Sequence, residues 1–205
     1  MINNNLEKAE QLLKAIAPQL TDSLAKPATL KEIEDFEKKV NKKLPDDFKA
    51  LYLWHNGFRE SENLNLFYGF SFESLDGMLK QIFTPEASCP LKFADEGIDK
   101  SCLWNSNWLL FAHDWGGNRL CLDLSPLENG RFGQIIFIDD DYAVGILVAE
   151  STEKLVADFV DDLKNGLYFL HEEALEDGVE FLAVAHDIDV DNWNLSKKWD
   201  RENWN

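Results

Sequence analysis

Residues 107–124, Asn-Trp-Leu-Leu-Phe-Ala-His-Asp-Trp-Gly-Gly-Asn-Arg-Leu-Cys-Leu-Asp-Leu, place two apolar runs on either side of Gly116-Gly117. Glycine reaches positive φ without a Cβ clash, so this pair suits a tight two-residue hairpin. In that register Asp114 faces Arg119, a cross-strand opposite-charge pair that contributes about 0.2–1 kcal/mol. Side chains alternate across a strand, so Leu109, Phe111, Leu120, Leu122 and Leu124 share one face, a core face. Trp108, Ala112, Cys121 and Asp123 fall on the other, more mixed face. The segment reads as the central hairpin of an antiparallel sheet, and nothing in it forms a catalytic grouping.

Helical signals precede the hairpin. Leu6, Ala9, Leu12, Leu13, Ile16 and Leu20 form an apolar stripe over residues 5–20. Thr29 and Glu32 stand in capping-box relation before Ile33, Phe36 and Val40, which predicts a helix over 29–41. A third helix starts at Pro45, with Asp46 and Asp47 in its first turn, and stops at Asn56-Gly57. Residues 64–72 read as a strand with a bulge at Gly69, 74–83 as a short helix, and 84–106 as an irregular connection.

After the hairpin, Gln134–Asp139 and Tyr142–Ala149 read as strands covered on both faces, because their apolar runs are continuous. Ser151 caps a helix that runs to about Asn165-Gly166, and a further helix is expected over Leu167–Glu176. From His171 to Asp191 there are eight acids and no Lys or Arg, and Trp193, Trp199 and Trp204 follow among charges.

A chain of 205 residues suits one domain, or one domain with an appendage. No run of 18 apolar residues occurs, and the N-terminus shows neither a basic nor an apolar leader region, so no membrane span and no secretory signal are expected. Cys89, Cys102 and Cys121 are an odd set without a Cys-x-x-Cys pair, which fits a reducing cytoplasm. Thirty-eight acids against 20 bases give a net charge of −18. That field repels nucleic acid and anionic lipid and attracts basic partners.

The ordered array Ile33-x-x-x-Glu37, Leu44-Pro45-x-x-Phe48, Leu51, Asn56-Gly57, Trp108–Ala112, Asp114-x-Gly116-Gly117-Asn118, Leu122-Asp123, Ile135–Asp139, Val148-Ala149-x-Ser151 and a last helix with Phe159 and Leu163 resembles the SMI1/KNR4 family of the SUKH superfamily. Asn118 stands where many relatives have Asp. The resemblance implies an α+β fold, with helices packed on a twisted antiparallel sheet. It spans about 29–166, which leaves an N-terminal helix and linker at 1–28 and an acidic helical extension and tail at 167–205. It implies protein binding without catalysis. Bacterial members resemble immunity proteins that occlude a cognate toxin, often a nuclease. Fungal members resemble regulatory scaffolds of cell-wall synthesis. A monomer or weak homodimer without a cofactor is expected.

Several clusters carry chemistry on paper. Asp123 with Asp139, Asp140 and Asp141 supplies carboxylate oxygens of the kind hard cations take, and the simpler reading is an exposed acidic turn. Asp187-x-Asp189-x-Asp191 begins like an EF-hand loop but has Asn192 and Lys198 where Gly and Glu are needed. The cysteines and His113 lack the local spacing of a zinc site. His55 and His113 read as structural histidines. Tryptophans are enriched at interface hot spots, and among Trp54, Trp104 and Trp115 the last two lie beside the hairpin. The expected contact set is Trp104, Trp115, Asp139, Asp140 and Asp141, facing a basic partner, with no catalytic and no metal-binding residue assigned.

Overall fold

The computed structural model describes residues 1–59, 64–81, 89–201 and 204. The architecture is α+β: a six-stranded mixed sheet, a separate two-stranded sheet and seven α-helices among the described residues. The helices are α1 (Ile2–Ile16), α2 (Pro18–Asp22), α3 (Leu30–Val40), α4 (Asp46–Trp54), α5 (Leu75–Lys80), α6 (Thr152–Lys164) and α7 (Glu172–Glu176). The strands are β1 (Ser71–Phe72), β2 (Phe93–Ala94), β3 (Trp108–His113), β4 (Arg119–Asp123), β5 (Gln134–Asp139), β6 (Val144–Ala149), β7 (Tyr168–Leu170) and β8 (Leu182–Val184). The large sheet runs β1-β3-β4-β5-β6-β2, antiparallel except for β2, which joins β6 in parallel. No helix is long and apolar enough to cross a membrane, among the described residues.

Local chemistry explains most boundaries. Thr29 closes α3 with a full capping box, and Asn41 ends it in the left-handed conformation. Ser151 accepts the Lys154 N–H to start α6. The expected 5–20 helix breaks at Ala17, because Pro18 disfavours a helical residue before it, and α2 restarts at the proline. Pro45 sits one residue earlier than expected, as the cap of α4.

The two-residue hairpin is corrected. The turn spans Asp114 to Asn118, and His113 rather than Asp114 pairs with Arg119. The Asp114 carboxylate accepts the N–H groups of Gly116, Gly117 and Asn118 at 2.7, 3.0 and 3.0 Å, so a side chain closes a longer turn. A bulge between Leu110 and Ala112 then puts Ala112 in the same core as Phe111.

Three other expectations change. Residues 64–72 form a 3-10 turn at Phe67–Gly69 and only a two-residue strand, because Tyr68 adopts φ 52° and gives its N–H to the Tyr168 hydroxyl at 3.0 Å. The irregular connection contains β2. The helix expected over Leu167–Glu176 is split into β7 and α7, with Tyr168 buried against Phe159 at 4.9 Å. Tertiary packing of an aromatic residue overrides helix propensity there. Residues 82–88, the end of the short helix and the start of the connection, lie outside the described residues.

Both faces of the sheet are covered. The inner face carries Leu109, Phe111, Leu120, Leu122, Ile135, Phe137, Val144 and Ile146 against the helices. The outer face carries Trp108, Leu110, Cys121, Ile136 and Ile138 against Leu91, Ile98 and Leu103 of the connection. Strands β5 and β6 thus read as continuous apolar runs for the reason expected.

Candidate functional site

The β3–β4 and β5–β6 turns lie at the same end of the sheet and are joined by a buried cation. Arg119 is 2% exposed. Its guanidinium donates to the Gly117 carbonyl at 2.9 Å, to the Leu103 carbonyl at 2.8 Å and to Asp140 of the second turn. The Trp104 ring stacks on it, with the guanidinium carbon 3.7 Å from the ring centroid. Burial raises the Asp140 carboxyl above its ordinary range, Arg119 opposes that shift, and Asp139 and Asp141 reinforce it.

Trp115 stands at the tip of the first turn. It is 59% exposed and sits at φ 66°, a left-handed conformation that a bulky side chain rarely adopts. The triple acceptor Asp114 holds that backbone, and the His113 ring packs edge-on at 4.2 Å. His113 is itself pinned by Glu73, with Nε2 and Oε1 2.9 Å apart and both residues buried. An open cleft of about 190 Å³ runs beside Trp115, lined by Gln81, Trp104, His113, Asn118 and Arg119 among others. Larger hollows occur beside Met1, at the end of α3 and between α1 and α4.

The three consecutive aspartates have three different surroundings. Asp139 is 3% exposed, and its carboxylate accepts the Trp193 indole N–H at 3.0 Å and the Tyr142 N–H at 2.9 Å. Asp140 is half-buried on Arg119, and Asp141 is exposed. Among the described residues no three His, Cys, Asp or Glu side chains gather as a metal cage. Of the expected set, Trp104 and Asp140 contact Arg119, and Trp115 lines the same cleft.

Two residues of this end escaped sequence reasoning. Tyr142 is 57% exposed and meets Trp193 edge-on at 6.1 Å. Asp191 accepts the Asn118 side-chain N–H at 2.7 Å, so the C-terminal segment reaches the first turn. Burial raises the Asp191 carboxyl, and the Asn118 bond counters it. A Tyr next to an acidic turn was the available signal for Tyr142. A contact across 73 residues left none for Asp191. The same segment buries Trp193 and Trp199, and Arg201 holds Asp95 through two bonds of 2.9 and 2.8 Å.

The sequence profile of the SMI1 / KNR4 family (SUKH-1) matches residues 27–158. The chain belongs to this family. A glucan synthesis regulatory protein of Neurospora crassa is 24% identical over an alignment covering 98% of this chain and 46% of that relative. The cell wall assembly regulator SMI1 of Saccharomyces cerevisiae is 24% identical, over 76% of this chain and 39% of the relative. A KNR4/SMI1 homolog of Debaryomyces hansenii is 22% identical, over 86% and 38%. The chain spans less than half the length of each of these relatives, and the first two are named as regulators rather than as enzymes.

Proposed function

We propose that this SMI1/KNR4 chain is a non-catalytic, protein-binding regulator, and that the hairpin end of its sheet is the contact surface. The strained, exposed Trp115 carries the reading. A large indole held in a left-handed backbone by a purpose-built acceptor costs about 1–2 kcal/mol, and such strain concentrates where it serves binding. Tyr142 and Asp141 extend the surface, while Trp104, Arg119 and Asp140 form its rigid floor. The regulator names of the fungal relatives favour a partner in a synthesis or assembly process over a substrate.

Affinity capture with the full chain and with a Trp115→Ala/Tyr142→Ala double variant tests this. A partner retained by the parent and lost by the folded double variant is the expected result. Equal retention by both would remove the surface assignment.

The immunity reading is supported by the charge of −18, which would steer the chain towards a basic toxin. Its mechanism is occlusion of the toxin site by the same acidic and aromatic side chains. Asp141→Lys is the clean probe, since Asp139 and Asp140 are tied to Trp193 and Arg119. A salt-dependent on-rate to a toxin that falls in Asp141→Lys supports it, and an unchanged rate counts against it.

A further inference from the structure

The acid-only run of the C-terminal segment takes almost no part in the hairpin-end surface. Most of it flanks a small sheet with an uncovered face. Phe169 pairs with Ala183, and the ladder continues to His171, whose N–H donates to the Phe181 carbonyl at 2.9 Å. Directly opposed residues share a face, so Phe169, His171, Phe181 and Ala183 lie together. Tyr168 and Leu182, on the opposite face, are 2% and 0% exposed. Phe169 is 47% exposed and Phe181 37%. Leu175 and Val179, in and after α7, are exposed as well.

This face is held in place. The Glu180 carboxylate accepts the Leu20 N–H at 3.0 Å. The Asn65 side-chain amide bonds both backbone groups of Leu182, at 2.6 and 3.0 Å. Exposed phenylalanines on an anchored sheet keep their apolar surface in water at a standing cost, which marks an interaction surface.

Its rim has one sign. Glu172, Glu173, Glu176 and Asp177 are exposed and make no ion pair among the described residues. The segment from His171 to Asp191 offers no Lys or Arg to neutralise them. A second copy of this face would set carboxylates against carboxylates, and nucleic acid and anionic lipid are repelled on the same ground.

We propose that the outer face of β7–β8, with α7, docks a Lys/Arg-rich amphipathic segment of a partner protein. Phe169 and Phe181 take its apolar side chains, and Glu172, Glu173, Glu176 and Asp177 take its cations. This surface is independent of the hairpin end.

The test is fluorescence anisotropy of a labelled synthetic peptide of alternating Lys and Leu with the full chain, at low and high salt. Phe169→Ser/Phe181→Ser leaves the charge unchanged and is expected to weaken binding about tenfold or more. Glu172→Gln/Glu173→Gln/Glu176→Gln is expected to weaken binding and flatten its salt dependence; all five positions are exposed, and this second variant decides if the first fails to fold. Trp115→Ala is expected to bind as the parent does. Parent-like affinity in the folded Phe variant would overturn the proposal, because the peptide would then follow net charge alone. Loss of binding in Trp115→Ala would overturn it by moving the peptide to the hairpin end. Sedimentation showing a parent dimer that the Phe variant splits would assign the face to a second copy and also overturn it.

Discussion

The inner face of the six-stranded sheet meets helices, and the outer face meets a loop. On the inner face Phe48, Phe67 and Phe111 pack edge to face at ring distances of 5.6 and 6.4 Å, and a second set of aromatics surrounds them. The outer face mixes Leu110, Ile136 and Ile138 with Arg119, Cys121, Asp123 and Gln134, all buried. A helix satisfies its own backbone and presents side chains alone. A covering loop brings backbone groups that need partners, and buried polar side chains are what it finds. The loop carbonyls of Leu103 and Gly97 accept from Arg119 and Gln134, and in the reverse sense Asp95 of the loop accepts the Leu147 N–H of β6. The proposed contact surface follows the same division. The strained tryptophan, the cation and the half-buried acid sit at the polar edge of the loop-covered face.

The comparison breaks first at Arg119. Arg119→Met removes the donor for two carbonyls and strands Asp140, so it should cost about 3 kcal/mol in urea unfolding, the lower end for breaking a buried pair because Asp140 is only half-buried. Adding Asp140→Asn should recover part of that loss, as a coupled pair requires. A cost below about 1 kcal/mol for Arg119→Met would mean that the outer face does not depend on its cation.

A smaller effect of opposite sign is expected at Trp115. Trp115→Gly relieves the left-handed backbone at φ 66° and should stabilise the fold by about 1 kcal/mol while abolishing capture of the partner. A destabilised glycine variant would show that the exposed indole supports the fold, and the site would lose its main argument.

The smallest effect concerns Asp123, fully buried on the outer face. Burial raises its carboxyl above 3.8, and the bonds from Ser125 and Gln134 oppose that shift. A folded pKa above the unfolded one means that the native state holds the proton more tightly. The associated stability is present below the unfolded pKa and is lost as pH rises through the folded one. Asp123→Asn should therefore gain on the parent in melting temperature between acid and neutral pH. A difference that stays flat across that range would place the charge in a solvated environment.

Legibility in the sequence followed the range of the interactions. The capping box of α3, the Ser151 cap of α6, the continuous apolar runs of β5 and β6, and the alternation that builds the core face of β4 depend on neighbours within a few residues. Their order was enough to indicate the family and the α+β class. The turn at Asp114 failed because Gly-Gly is permissive, and Asp114 chose a longer closure that the glycines equally allow. The 3-10 turn at Tyr68 and the strand β7 failed together, since each rests on the other through the Tyr168 hydroxyl. The candidate site was half legible: tryptophans beside a hairpin stand out in the sequence, but Tyr142 and Asp191 acquire meaning only from Trp193 and Asn118.

The sequence by itself determined helices α3, α4 and α6, the buried strands β3 to β6, the acidic balance, and the aromatic turn. Those properties are local or additive. Tertiary structure alone decided that three adjacent aspartates differ, one under Trp193, one on Arg119 and one in water. It also decided that the tail closes onto the sheet and that β7–β8 leaves Phe169 and Phe181 exposed. Such outcomes depend on which distant group arrives to replace water, and no periodicity along the chain records that.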